Sequence, residues 1–433
     1  MYRNVINDMA AWHAGNQQVL LVKGAKGVGK TWSVTDFAEA FFKRVLIVDF
    51  EKESDFLRLF QGTVDADRIE NKLRSRFRHM ADKTENIVFD KDMLLVFDEV
   101  QFLKHPLPGI MAYAMQRPDM RICIIASWMG MLEGEDFYDD LTCISMYPMT
   151  FEEFLTANKV QHLCGHIEEQ KISPIAAEVK DEIKEYLSCF MMTGGMPEVV
   201  ADIVKCKSLL HTDGIIAKIL SEQRAFIRLM VPHALERKVL KIWDSIPVQL
   251  SKSNRKFMYN YVDDKARARE YEGAVKWLVN AGLVRCIYRI SEGNAPIADY
   301  VDKKSFELYH LDHGLLRLMC GCRLESMAEE NDIYDVLSGV LPEQYAIAEL
   351  TMNRNVSDLY FWISGATARV DLVFEDDGEV IPVDVQSKVQ NKAQSLKVFR
   401  KKYENRMAIR ISLEDLSFAK GVLNIPLYGL WNF

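Results

Sequence analysis

Apolar positions along the first 150 residues fall into short unbroken runs: Val19–Val22, Val45–Phe50, Leu94–Phe97, Ile122–Ala126 and Cys143–Tyr147. Stretches with helical spacing separate them, as in Trp32–Phe42. Continuous apolar runs alternating with helices predict a parallel sheet covered on both faces. From Thr150 the pattern changes. Phe151–Leu155, Glu178–Phe190 and Ile215–Met230 repeat their apolar residues every three to four positions, which predicts amphipathic helices. Helices are again expected at Leu235–Ile246 and Ala266–Ala281, with a strand at Leu283–Ile290. After Leu341 a helix over Glu343–Met352 leads into strands at Leu359–Ile363, Ala368–Phe374 and Val380–Val385. A helix over Lys392–Tyr403 and strands at Met407–Ser412 and Ile425–Tyr428 follow.

The first run enters Gly24-Ala25-Lys26-Gly27-Val28-Gly29-Lys30-Thr31 and the helix from Trp32 follows it. A glycine-rich turn between strand and helix points backbone N–H groups inward as an anion nest, and the helix N-terminus adds its dipole. Lys30 is placed to meet β/γ-phosphates and the Thr31 hydroxyl to ligate Mg²⁺. ATP and Mg²⁺ are thus the expected ligands, on Gly24 through Trp32. The third run ends in Asp98-Glu99. At a sheet edge beside the loop, Asp98 would hold Mg²⁺ through its water shell and Glu99 would polarise an attacking water. The fourth run ends in Ser127, a candidate γ-phosphate sensor if its strand lies between the loop strand and the acidic strand.

Composition adds bounds. The chain has 433 residues, 49% apolar and 27% charged, with a formal net charge of −8. Several domains with full cores are affordable, and a whole-surface nucleic-acid binder is disfavoured. No run suits a membrane helix, and the first 18 residues do not read as a secretory signal. Cys123, Cys143, Cys164, Cys189, Cys206, Cys286, Cys320 and Cys322 have no framework spacing, which fits free thiols in a cytoplasmic protein. His310, His313, Cys320 and Cys322 have a conceivable zinc spacing, but interleaved leucines favour a packed helix. Residues 235–290 invert the charge, with 12 Lys/Arg against 6 Asp/Glu. Arg255, Lys256, Lys265, Arg267 and Arg269 are candidate phosphate contacts there, and two helices followed by a strand resemble a winged helix.

The chain resembles prokaryotic AAA-type ATPases that carry a C-terminal domain of unknown function related to restriction-type nucleases. The motifs are Gly24–Thr31, Asp98-Glu99-Val100-Gln101, Tyr147–Phe154, Thr193-Gly194-Gly195-Met196-Pro197-Glu198 and Tyr309–Leu316. In order they cover essentially the whole chain. The resemblance implies that Pro197 approaches the adenine from a helical lid. It also implies a nuclease-like metal site: acid-Val-Asp, then Ile-Pro-acid-x-Lys, with an acid on a preceding helix. This chain gives Arg369-Val370-Asp371 and Ile381-Pro382-Val383-Asp384-Val385-Gln386, with Glu343, or Glu349 as substitute, on the helix. Gln386 replaces the lysine that would stabilise phosphorane charge, so cleavage is not expected unless Lys388 substitutes. Trp128–Asp140 lacks the arginine finger of ring-forming relatives, leaving Arg224 or Arg228 as stand-ins.

The expected architecture is α/β throughout. Residues 1–149 form a P-loop NTPase core, 150–234 a helical lid and 235–335 a winged-helix domain. Residues 336–433 form a degenerate nuclease-like domain. The expected activity is Mg²⁺-dependent ATP hydrolysis driving a conformational switch on DNA, through 235–290, or on a protein. A nucleotide-gated binding module with negligible turnover and an ATP-coupled nuclease are the alternatives.

Overall fold

The computed structural model describes all residues except 1, 16, 78–86, 131, 133–135, 172, 253, 328–338, 353–355, 357, 366–367 and 387–393. Lys388 lies outside the described residues. The chain forms two compact units, one of residues 2–147 with Asn280–Gly282, the other of 148–279 and 283–433.

The first unit runs α1 (Val5–Ala14), β1 (Val19–Gly24), α2 (Lys30–Phe41), β2 (Arg44–Asp49), α3 (Ala66–Phe77), β3 (Met93–Asp98), α4 (Pro106–Gln116), β4 (Arg121–Ala126) and β5 (Thr142–Met146). Its five strands are parallel in the order β2-β3-β4-β1-β5. Strands buried on both faces explain the uninterrupted apolar runs: every residue of β1 and β3 is buried. Phe50, Phe60, Phe97 and Tyr113 pack edge-to-face or stacked beside the sheet. Burial of each such ring contributes about 1.5–3 kcal/mol.

The second unit begins with helices α5 (Phe151–Ala157), α6 (His162–Glu169), α7 (Ala177–Thr193), α8 (Pro197–Cys206), α9 (Thr212–Met230), α10 (His233–Leu250) and α11 (Ala268–Asn280). Then come β6 (Val284–Ile290), β7 (Val301–His310), α12 (His313–Met319), α13 (Leu324–Met327), α14 (Val340–Met352), β8 (Tyr360–Ile363), β9 (Arg369–Asp376) and β10 (Glu379–Val385). It closes with α15 (Gln394–Tyr403), β11 (Ala408–Ser412), β12 (Ser417–Ala419) and β13 (Val422–Pro426). These strands make one mixed sheet, β12-β13-β11-β10-β9-β8-β6-β7. The helix–helix–hairpin order of α10, α11, β6 and β7 is present, and β6 also pairs with β8 in parallel. Strands on either side of residue 335 therefore share a sheet. Its core includes Ile290, Trp362, Val370, Val373, Leu396 and Phe399.

The distant motifs of the second unit meet one another. Asp312 caps α12 by accepting from Leu315 N at 3.0 Å and also accepts from Gly195 N at 2.7 Å. Gly195 O in turn accepts from Met149 N at 2.7 Å. His313 Nε2 lies 2.8 Å from Phe190 O. His310 is buried with Nε2 accepting from Trp243 Nε1 at 3.1 Å, and burial pushes its pKa down to about 3. The two histidines are packing groups rather than zinc ligands. Among the described residues no helix is long and apolar enough to cross a membrane.

Candidate nucleotide site

The parallel sheet gathers the sequence-predicted groups at the C-terminal ends of its strands. β4 lies between β1 and β3, so Ser127 stands beside both the phosphate loop and Asp98-Glu99. The loop turns through left-handed backbone at Gly27 (φ 91°) and Gly29 (φ 87°) before α2 starts at Lys30. Ala25 and Val28 are buried beneath it, while Trp32 on the first turn of α2 is 44% exposed.

Lys30 is buried, and its ammonium donates to Gly24 O at 3.1 Å and Ala25 O at 2.9 Å. Desolvation pulls its pKa down to about 8. Thr31 Oγ1 donates to Asp98 Oδ2 at 2.7 Å, and Asp98 Oδ1 accepts from Glu99 N at 2.8 Å. Burial raises the Asp98 carboxyl to about 6. These adjacent hard oxygens suit Mg²⁺.

Glu99 occupies left-handed backbone (φ 55°, ψ 45°), uncommon for a non-glycine residue and of the kind that gathers at functional sites. Its carboxylate is held in a closed triangle. Ser127 Oγ donates to Oε1 at 2.9 Å, Gln101 Nε2 donates to Oε2, and Gln101 Oε1 accepts from Ser127 N at 3.1 Å. Lys26 Nζ lies 2.8 Å from Glu51 Oε2 and 3.8 Å from Glu99 Oε1.

Three supports were not read from the sequence. Arg3 reaches from the start of the chain to donate to Val28 O at 2.9 Å and Tyr147 O at 2.7 Å, fixing the loop to the end of β5. Gln101 braces both Glu99 and Ser127. Asn280 O accepts from Met129 N at 2.7 Å and Gly130 N at 3.1 Å, just past Ser127. Gly282 follows with φ 72°, and a Cβ there would meet Met129 Cγ at 2.6 Å and Ala25 N at 3.4 Å. Only the ordering of Asp98-Glu99-Val100-Gln101 carried a sequence signal for any of these.

The nuclease-like residues are brought together only in part. Asp371 on β9 and Asp384 on β10 are neighbours: Asp371 Oδ2 accepts from Val385 N at 3.0 Å, and burial with the Asp371 charge raises Asp384 to about 7. Gln386 donates to Asp384. Glu343 is instead bound by Arg255 and by Arg369 (2.8 Å), with the Tyr309 hydroxyl between it and Glu307. Arg369 also pairs with Glu307 and lies 3.3 Å from Asp371 Oδ1. Two guanidiniums thus occupy the acid expected to bind metal. Glu349 does not substitute: its Oε1 accepts from Phe151 N at the start of α5, 2.9 Å away.

The same contacts correct two other expectations. Arg255 is paired with a buried carboxylate and is not a free phosphate contact. Arg224 is committed to Asp244 and stacks 5.3 Å over Trp243. Lys265, Arg267 and Arg269 are exposed, whereas Lys256 is half-buried. Pro197 opens α8 in the second unit.

Residues 16–155 match the family model described as an AAA domain. Residues 184–326 and 338–430 match two domains of unknown function, DUF8612 and DUF4143. The family match of the first unit is thus to an AAA domain. No curated protein matches the chain. Among solved structures, the Walker-type ATPase PABY2304 of Pyrococcus abyssi is 12% identical with a TM-score of 0.43, covering 73% of this chain and 95% of its own. The Thermotoga maritima RuvB Holliday junction branch migration motor is also 12% identical, with a TM-score of 0.28, covering 69% and 88%. C. elegans PCH-2 is 13% identical with a TM-score of 0.30, covering 47% and 61%.

Proposed function

We propose that this chain hydrolyses ATP in a Mg²⁺-dependent reaction and uses the cycle to switch the second unit's engagement of a partner. The observation that carries the reading is the Glu99–Gln101–Ser127 triangle beside the Thr31–Asp98 pair and Lys30. Lys30 exchanges the Gly24 and Ala25 carbonyls for β/γ-phosphate oxygens. Thr31 and Asp98 would hold Mg²⁺, which when bound neutralises phosphate charge. Glu99 takes a proton from water as the water oxygen bonds to the γ-phosphorus and the β–γ bridging bond breaks, leaving ADP and inorganic phosphate. Ser127 keeps the Glu99 carboxylate aimed at that water, and its place between the loop strand and the acidic strand sets it beside the γ-phosphate.

The Asn280–Gly282 strap supports coupling. It bonds the backbone just past Ser127 and packs on Ala25; α11 runs directly into it and β6 follows. A shift of the sensor loop or phosphate loop is thus felt where the basic 235–290 segment ends. DNA is one partner class for that segment, through Lys265, Arg267 and Arg269; a protein is the other. Eight free cysteines support a cytoplasmic setting. We further propose that the Glu343–Asp371–Asp384 region is structural rather than nucleolytic, because Arg255 and Arg369 neutralise Glu343 and Gln386 carries no charge.

The test is Lys30→Ala: loss of ATP binding and turnover is expected, and turnover equal to wild type would remove the assignment. A second reading, a nucleotide-gated binding module, is favoured by the full engagement of both Glu99 oxygens in the triangle. It predicts tight ATP binding with negligible turnover even when DNA is added.

A further inference from the structure

We infer that Asp202, Cys206 and His211 form a zinc-class divalent metal site at the C-terminal end of α8. Asp202 and Cys206 are four residues apart on one face of that helix. Lys207 then takes left-handed backbone (φ 52°) and turns the chain, so that His211, immediately before α9, comes back against them. The Cys206 thiol lies 3.4 Å from Asp202 Oδ1, and His211 Nδ1 lies 3.4 Å from Asp202 Oδ2. One donor atom from each residue falls within 4.8 Å of the others, and no other such trio occurs among the described residues.

The separations suit a tetrahedral ion. With Zn–S near ~2.3 Å and Zn–N or Zn–O near ~2.0 Å, neighbouring ligands stand about 3.3–3.5 Å apart. Counted from a single Asp202 oxygen, one edge is already at that length and the other two lie within 4.8 Å. These can close because the His211 side chain is 57% exposed and has room to move. Asp202 Oδ2 is also shielded from water and receives no hydrogen bond, although an imidazole nitrogen faces it. A cation between them satisfies both. One sulfur, one nitrogen and one carboxylate select a borderline metal such as Zn²⁺ over Mg²⁺ or Ca²⁺. Three protein ligands leave a fourth position for water. Binding forms the metal–sulfur bond as Cys206 gives its thiol proton to solvent, with no change of oxidation state. The site shares no residue with the nucleotide machinery, and the ion would pin the end of α8 to the start of α9.

The experiment uses the full chain, stripped with chelator and free of nucleotide, titrated with Co²⁺ and back-titrated with Zn²⁺. A thiolate-to-cobalt charge-transfer band saturating at one equivalent and displaced by Zn²⁺ is expected. Cys206→Ser should abolish the band, His211→Gln and Asp202→Asn should each weaken Zn²⁺ at least tenfold, and Cys189→Ser should leave the band intact. Far-ultraviolet circular dichroism and ATP turnover matching wild type confirm that each variant is folded. Absence of the band in the wild type, or its persistence in Cys206→Ser, overturns the site.

Discussion

Ser127 Oγ donates to Glu99 Oε1 at 2.9 Å, joining the end of β4 to the residue after β3. The bond orients the carboxylate and keeps it from solvent while the pocket awaits phosphate. Ser127→Ala should therefore lower turnover more than nucleotide affinity: kcat falls about 10²-fold, within the range for a mispositioned general base, and the ATP Kd moves less than threefold. Gln101→Leu breaks the same triangle, so the double variant should be no worse than the poorer single one. Steady-state rates beside equilibrium binding read this directly. Fully additive losses would show that the triangle is not one unit.

Nucleotide affinity should have two pH limbs. Asp98 is raised to about 6, so below that pH it is neutral and gives Mg²⁺ less help. Lys30 is lowered to about 8, so above that pH the free protein must gain a proton to meet phosphate with charge. MgATP affinity should be greatest between about 6 and 8 and fall on both sides, by up to tenfold per unit on each limb. Without Mg²⁺ the acid limb should vanish and the alkaline limb remain. Fluorescent nucleotide titrations across this range, with and without Mg²⁺, check both.

Glu349 is a stability liability at neutral pH. Its carboxyl is buried, accepts only from Phe151 N, and leaves Oε2 without a partner. Burial raises it from 4.5 to about 8. The folded state then binds the proton more tightly than the unfolded state. Stability is greatest below about 4.5, declines as pH rises, and the loss is complete above about 8. Glu349→Gln keeps the acceptor without the ionisation. Its Tm should exceed wild type by at least about 2 °C at pH ~8 and match it near pH ~4.5. Thermal melts at the two pH values decide; a lower Tm at both would refute the burial argument.

Arg369 holds Glu307 and Glu343, both nearly inaccessible to solvent. Removing the cation strands the Glu307 carboxylate and leaves Glu343 with Arg255 alone, which costs about 3–5 kcal/mol. Arg369→Met should leave the second unit unfolded or molten, whereas Asp371→Asn should be tolerated. Equal melting of both variants with wild type would mean that the charges are not desolvated as described.

The parts of this protein that were readable in its sequence are those whose cause is local. β1 and β3 are buried on both faces, so their apolar runs show themselves, and the phosphate loop carries its geometry in its glycines. β7 carries no local strand signal, because it opens Val301-Asp302-Lys303-Lys304 and buries Glu307, whose partner Arg369 lies 62 residues away. Arg255 read as a phosphate contact for the same reason: its partner Glu343 is far along the chain. The return of Asn280–Gly282 to the first unit is also a long-range fact, written only in its contacts with Met129 and Ala25.

The proposed activation of water by Glu99 is read out in Glu99→Gln. Gln retains a hydrogen-bonding group for Ser127 and Gln101 but cannot take the proton. ATP affinity within about threefold of wild type and turnover reduced at least 10²-fold are expected, measured on the same preparation by equilibrium binding and phosphate release. Turnover equal to wild type in Glu99→Gln would take the general-base role away from Glu99.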